Sequence, residues 1–448
     1  MDFKALRQKY QEFIYRGYVW KISKNSLDIK FRFEISPDIL FAPEINIVFN
    51  GEAKLESISK DVLDNLVFNL GLSEIPSYFK ATCSKNIKVL AQEMTQNQVK
   101  WWEKFLITEM SQFYFENSID FTQKDFIKIL PKNITSGREV NIAQKTGSGA
   151  CVAVGGGKDS ALTLEIFDRE GISYSAFSLN PTASTKRVIG KSSSKGFISV
   201  YRKIDPKLLE LNKNGFLNGH TPIVSYMSFL AILVSYLCGF SEVVFSNEKS
   251  ADEENTLYLG KKVNHQHDKT YEFEKSFREY NEEFLSDIVY FSFLRPIGDL
   301  KVAKMFAKQA NKYHSSFLSC NIGQREDRWC GKCPKCLSTY MVIFPFLKDK
   351  TKKIFGSELY NDTSLKRLAD SLITPGDEKP FECVATRKEL QSAVVLSEGS
   401  KNLPLLTHLK DVVAKIGVNK KSALETLEEF SSKNFLPKKY QDILRKYI

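Results

Sequence analysis

Cys151-Val152-Ala153-Val154-Gly155-Gly156-Gly157-Lys158-Asp159-Ser160 is the stretch on which the reading of the fold turns. The apolar run reads as a buried strand, the glycines as a tight turn, and the amphipathic stretch from Ala161 to Arg169 as a helix that opens at the turn. Strand, glycine turn and helix start together make a phosphate cradle. Glycine lets the backbone approach an anion closely, while the first free N–H groups of the helix and its dipole favour negative charge. Lys158 adds a point charge, and Asp159 or Ser160 can hold magnesium or a phosphate oxygen. The spacing excludes the kinase-type P-loop, which needs four residues between its first glycine and a Gly-Lys-Ser/Thr end. A glycine turn alone is weak evidence; Lys, Asp and Ser following in this order and context carry the reading.

Outward from the turn, apolar strands and helices alternate. Tyr174–Leu179 and Val243–Ser246 read as further strands, separated by the uncharged segment Thr221 to Ser241. That segment reaches the length of a membrane helix, yet Pro222, Ser225, Ser228 and Ser235 lower its hydropathy and it leads directly into a strand, so a core helix is expected and no membrane insertion. The pattern predicts an α/β fold, a doubly wound parallel sheet, over 146–350. Ligands of such sheets bind beyond the carboxyl ends of the strands, which sets Ser178, Asn180, Ser246, Asn247 and Glu248 beside the phosphate turn.

Before it, Leu27, Ile29, Phe31, Phe33 and Ile35 alternate with polar residues, as in a half-buried antiparallel strand, and Ile45–Phe49 reads as a strand entering a turn at Asn50-Gly51. Helices are expected over Asp61–Leu72 and Thr95–Phe115, with Trp101 and Trp102 packing in core and rim. Residues 1–145 therefore read as an amino-terminal α+β domain, closed by the polar stretch Thr135 to Gly149. Residues 351–448 read as mainly helical, with Leu365, Leu368, Ala369 and Leu372 at helical spacing.

Composition sets outer bounds. A chain of 448 residues can bury two or three cores, and Met1-Asp2-Phe3-Lys4 lacks the apolar run of a secretory signal, so a cytoplasmic protein with reduced cysteines is expected. A net charge of +11 suits a nucleic-acid binder, and equally an enzyme whose substrates carry phosphates and carboxylates. The lysines lie in short scattered runs such as Lys348 to Lys353, without interleaved aromatics, so no nucleic acid is expected.

Cys320, Cys330, Cys333 and Cys336 form a C-x9-C-x2-C-x2-C set with Gly331 and Pro334 inside the knuckle. Four thiolates at this spacing suit a closed, structural tetrahedral zinc site; an iron–sulfur cluster is the competing reading. Glu248 follows a strand and can bind magnesium or move a proton, whereas Asp252 to Glu254 fit a solvated acidic loop equally well. His220, His265 and His267 lie in polar settings of the central region, where histidine is the natural proton shuttle, although a lone histidine is more often structural. Lys186-Arg187 and Arg202-Lys203 can neutralise diphosphate or carboxylates, or be surface charge.

The glycine turn resembles the SGGxDS motif of the ATP pyrophosphatases (the PP-loop superfamily), with Gly155 where serine is usual. Taken with Arg202 to Asn212, Asn218-Gly219-His220-Thr221-Pro222, Ser246-Asn247-Glu248, Val263-Asn264-His265-Gln266, Leu294-Arg295-Pro296, Trp329 to Cys336 and Lys379 to Val384, the chain resembles the ATP-dependent UDP-N-acetylmuramoyl-L-alanyl-L-glutamate epimerases of bacterial peptidoglycan synthesis, which are similar in carrying a triple glycine. The resemblance implies a PP-loop fold, and an enzyme that adenylates the glutamate carboxylate of UDP-N-acetylmuramoyl-L-Ala-L-Glu with ATP and Mg2+, inverts the α-carbon to D and releases AMP and diphosphate. It implies ATP contacts from Gly155 to Ser160 and, more weakly, from Ser178 and Asn180. Lys158, Asp159, Glu248, His220 and His265 are then the candidates for catalysis, with Cys383 and Cys151 as possible acids.

Two relatives of the same superfamily compete. A cyano-deazaguanine synthase pairs a similar loop with zinc cysteines but accounts only for the middle of the chain, and a transfer-RNA thiolase needs a persulfide cysteine for which no clear candidate stands. A zinc-containing nucleic-acid-binding module leaves Lys158-Asp159-Ser160 without a purpose.

Overall fold

The computed structural model describes residues 2–49, 53, 58–135, 141–145, 147–398 and 403–448. The turn expected at Asn50-Gly51 lies outside them, as does part of the Thr135 to Gly149 stretch. Eleven strands join in one sheet: β1 (Glu12–Ser23), β2 (Ser26–Ser36), β3 (Ile39–Phe41), β4 (Glu44–Val48), β5 (Asn86–Val89), β6 (Lys128–Pro131), β7 (Ala150–Ala153), β8 (Tyr174–Leu179), β9 (Phe197–Lys203), β10 (Glu242–Phe245) and β11 (Val289–Ser292). Their order is β11-β10-β7-β8-β9-β4-β2-β1-β5-β6, with β3 beside β2.

From β11 to β9 every pair is parallel. In chain order these strands run 3-2-1-4-5 across the sheet, so the connection reverses direction between β7 and β10. A crevice opens at such a reversal, because the loops leaving the two strands turn to opposite sides. The sequence of β7 shows why the sheet is covered on both faces: Ala150, Val152 and Val154 enter one core while Cys151 and Ala153 enter the other. Helices Lys158–Arg169, Asp299–Gln309 and Pro334–Leu347 pack on the first face and Ile223–Cys238 on the second. Each fully buried aliphatic side chain in these layers contributes roughly 1.5–3 kcal/mol relative to exposure.

The amino-terminal strands, expected to form a domain of their own, extend this sheet. β4 pairs antiparallel with β9, Val200 opposite Ile47, and β2 and β1 follow antiparallel, with β5 and β6 parallel beyond them. The sheet is therefore mixed and passes through the boundary expected near residue 145. The strand expected from the Leu27 to Ile35 alternation is β2, with its apolar face buried. Thr221 to Ser241 holds the core helix Ile223–Cys238, ended by Gly239 in the left-handed conformation; among the described residues no helix is long and apolar enough to cross a membrane. Beyond residue 350 the described elements are helices and short helical turns, which pack back on the sheet through Leu390, Val394, Leu405, Leu409 and Tyr440.

Candidate active site

β7 ends in the glycine turn at the crevice. Gly156 has φ of +85°, and a Cβ there would lie 2.7 Å from the Thr185 backbone nitrogen; a Cβ on Gly157 would lie 2.7 Å from Ser319 Oγ. Gly155 is different: a Cβ on it meets nothing within 4 Å. The turn is pinned from behind, Thr185 Oγ1 donating to Gly155 O at 3.1 Å and Leu318 N donating to Gly156 O at 2.9 Å. Helix Lys158–Arg169 starts from Gly157 without a side-chain cap, which leaves its first amides for an anion.

Lys158 is buried with its ammonium between Asp159 Oδ1, at 2.5 Å, and Asp299 Oδ1. Burial alone would discharge it, but the two carboxylates outweigh burial and raise its pKa. Asp299 opens the helix that follows β11, and Glu248 follows β10, so the turns after β7, β10 and β11 converge. Glu248 is the uneasy member of the cluster. Burial first, then Asp299, Glu389 and Asp159, push its carboxyl up to about 8 against Lys158. A divalent cation fits this donor set, since it would relieve an excess of carboxylate over ammonium that protein groups leave uncompensated.

Facing the turn across a cavity of about 60 Å³ are Glu248, Gln266, Lys269, Lys335, Cys383 and Val384. Buried Arg295 draws two of these segments together, its guanidinium donating to Glu248 O at 2.8 Å and to Lys269 O, with Glu274 at 3.4 Å as its buried counter-ion. The Cys383 segment is held at several points. Asn255 Nδ2 donates to Pro380 O at 2.7 Å, Lys379 pairs with Glu253, Gln266 Nε2 donates to Val384 O at 3.5 Å, and Ser338 Oγ accepts from Ala385 N at 3.1 Å. Asp252 and Glu253, which fit a solvated loop on sequence alone, are thus structural ties: Asp252 also accepts from Tyr271 N at 2.8 Å.

The sequence candidates fare differently. Lys158, Asp159 and Glu248 line the one cavity. His265 stands behind it, its Nδ1 2.7 Å from Gln112 Oε1, and from there favours the ionised form of the Cys383 thiol. The His220 ring lies tilted against His265 at 4.5 Å between ring centroids, and burial, His265 and nearby lysines hold it neutral, down to about 3. Ser178 is buried in β8, and Asn180 spends its side chain on the backbone of Arg202, accepting from its N–H at 2.9 Å. Arg202 closes a buried pair with Glu74, Arg187 pairs with Asp327, and His267 pairs with Glu109 at 2.6 Å. Asp299, Lys269 and Gln266 were not read from the sequence. Asp299 carried a signal: Gly298-Asp299 follows β11 into a helix as Gly157-Lys158 follows β7.

The ligand atoms of Cys320, Cys330, Cys333 and Cys336 lie within 4.8 Å of one another, a set that could hold a metal ion. Backbone amides point at the sulfurs, Gly323 N at 3.0 Å and Cys330 N at 3.4 Å from Cys320 Sγ, and Lys332 N at 3.4 Å from Cys330 Sγ. Such donors favour thiolates, and the pattern fits a closed structural zinc site. The knuckle reaches both walls of the cavity. Leu318, two residues before Cys320, bonds the glycine turn, while Lys335 N and Asn321 Nδ2 donate to Glu382 beside Cys383.

Two family models cover the chain: the MurL N-terminal domain over residues 4–293 and the MurL C-terminal domain over residues 316–424. The chain belongs to the MurL family. Three relatives are named UDP-N-acetyl-alpha-D-muramoyl-L-alanyl-L-glutamate epimerase. That of Xanthomonas oryzae pv. oryzae is 29% identical over 355 residues, 77% of each chain. That of Salinispora tropica is 35% identical over 304 residues, 65% of each chain, and that of a Micromonospora species 35% over 272 residues, 58% of this chain and 60% of the relative. The glycine turn, Glu248 and Lys269 fall within the first MurL model, the knuckle and Cys383 within the second, and Asp299 between the two.

Proposed function

We propose that this protein inverts the terminal L-glutamate of UDP-N-acetylmuramoyl-L-Ala-L-Glu to D-glutamate, with ATP as second substrate and AMP and diphosphate as products. The observation that carries the reading is the uncapped glycine turn, set at the sheet's reversal beside Lys158 and opposite proton-transfer groups in one small cavity. The relatives' printed names supply the substrate.

The α-proton of a glutamate whose carboxylate is ionised is hard to remove, because the resulting carbanion sets negative charge beside negative charge. Adenylation of that carboxylate removes the charge and lets the carbonyl accept electron density. In this reading the turn amides and Lys158 bind the diphosphate. Asp159 and Asp299 are the residues that would hold magnesium, which neutralises charge on the departing diphosphate. Glu248, whose carboxyl is held above the ordinary carboxylate range by burial first and then by the neighbouring carboxylates, is suited to giving a proton up at the α-carbon. His265 and His220 support the far wall. The four cysteines hold a structural zinc that orders both walls.

The test is an incubation of the protein with ATP, magnesium and the UDP-muramoyl dipeptide in heavy water. AMP together with α-deuterated D-glutamate is expected. AMP-free inversion would remove the adenylate, and neither AMP nor deuterium in metal-replete protein would remove the substrate.

A further inference from the structure

The Cys383 sulfur faces the same cavity as the glycine turn, yet the knuckle does not use it and the reading above gives it no work. Its setting is unlike that of the buried cysteines. The side chain is half-buried and lines a cavity; Lys269 Nζ lies 2.7 Å from Sγ; and Lys335 faces it from the knuckle. The arrangement is also rigid. Lys269 is locked through its carbonyl to Arg295, His265 through Nδ1 to Gln112, whose own amide nitrogen donates to Glu116 at 2.6 Å, and the Cys383 segment is tied on both sides.

We propose that Cys383 is a catalytic base of this site, taking the proton from the glutamyl α-carbon on one face of the adenylated substrate, with Lys269 and His265 as positioning residues that hold the sulfur. The proposal rests on the epimerase reading. Charge supports it: burial works against ionising the thiol, but Lys269, His265 and Lys335 outweigh burial, and the thiol is held well below its ordinary value. Burial opposes the charge of Lys269, but Cys383 first and then Asp268 outweigh it and raise its pKa, so the ammonium stays charged beside the sulfur. A thiolate aimed into a cavity and held by fixed donors is a poised base.

The step balances without further reagents. The α-C–H bond breaks, its proton forms the S–H bond, and its electron pair moves to the acyl carbonyl as an enolate. A proton from the Glu248 carboxyl then closes the C–H bond on the opposite face; the thiol gives its proton to solvent, Glu248 takes one back from solvent, and water attacking the acyl carbonyl releases AMP.

Cys383→Ser separates this role from the others. Pyrophosphate exchange into ATP, measured with the L-Glu and D-Glu dipeptide nucleotides, is expected to stay within about threefold of wild type, while inversion falls by about 10²-fold or more and α-deuterium exchange is lost from one of the two epimers. Independently, the rate of Cys383 alkylation by iodoacetamide, followed by mass spectrometry against pH, is expected to half-maximise below the ordinary thiol range and to move up by about one pH unit or more in Lys269→Met. Inversion within about tenfold of wild type, or pyrophosphate exchange falling in step with inversion, overturns the role. So does an alkylation profile that Lys269→Met leaves unmoved. Wild-type protein that shows no pyrophosphate exchange with either nucleotide sinks the epimerase reading and the base role with it, while the alkylation profile still reports whether a thiolate is there.

Discussion

The two walls of the cavity are built in opposite ways. One wall is a single run, Gly155 to Ser160, whose strand, turn and helix follow from neighbouring residues. The other collects Glu248, Lys269, Lys335 and Cys383 from separate segments, each held by side chains such as Arg295, Asn255 and Glu253 that never reach the cavity. The difference teaches where damage should register. Changing a charged side chain of the contiguous wall removes a charge at the chemistry and leaves the fold alone, whereas breaking a tie behind the gathered wall shifts stability and activity together.

The largest effect expected is that of Asp159→Ala. It removes a carboxylate that pairs with Lys158 and that, on the proposed function, would hold magnesium, so AMP release should fall by about 10³-fold. Thermal unfolding should be close to wild type, because Asp159 is only half-buried and supports no distant segment. A melting temperature that falls with the activity would break the distinction between the walls.

Metal removal should be the next largest, and it tests the bridge between the walls. The knuckle bonds the glycine turn through Leu318 and the Cys383 segment through Glu382, so Cys336→Ser or chelation should loosen both. Loss of bound metal by elemental analysis, a lower melting temperature and joint loss of pyrophosphate exchange and inversion are expected. A metal-free protein that keeps full pyrophosphate exchange would show the knuckle serving the gathered wall alone.

The same contrast governs what sequence reading could reach. The glycine turn, the parallel strands around it and the four cysteines were legible because their signals are local: periodicity, spacing and turn chemistry. Glu248 was legible because it directly follows a strand. Lys269 was not, since a lysine after Asn-His-Gln-His-Asp carries no mark of the sulfur it meets more than a hundred residues later. The pairing of β4 with β9 escaped for the same reason: alternation in Ile45 and Ile47 says that a face is buried but not which strand lies beside it. Arg202 shows the converse limit. Its charge fitted a ligand contact or an exposed face equally, and burial against Glu74 gives it a structural use that neither reading named.

His267 probes the outer end of the gathered wall, where its ring closes the turn carrying Lys269 onto helix Gln96–Glu109. Burial opposes its charge, but Glu109 and Glu272 outweigh it and push the imidazole up to about 10. The folded value thus lies above the unfolded one near 6.5. The stabilisation should be complete below about pH 6.5 and should fade as pH rises through about 10. Urea midpoints of wild type minus His267→Gln, taken from pH 6 to 10, should shrink steadily; a difference that does not change with pH would deny the ion pair its role.

The smallest effect is the most discriminating for the contiguous wall. Gly155 and Gly156 are adjacent, yet their needs differ: Gly156 sits at positive φ against the Thr185 backbone, while the position of a Cβ on Gly155 is open. Gly155→Ser should therefore leave melting temperature unchanged and AMP release within about twofold of wild type, since an exposed substitution free of strain seldom moves stability by more than about 0.5 kcal/mol. Gly156→Ala should cost about 1–3 kcal/mol in backbone strain alone, with the clash added. If Gly155→Ser abolishes AMP release while the fold is intact, then the space above Gly155 is filled by substrate in the working enzyme. The triple glycine would in that case be a requirement of binding rather than of the turn.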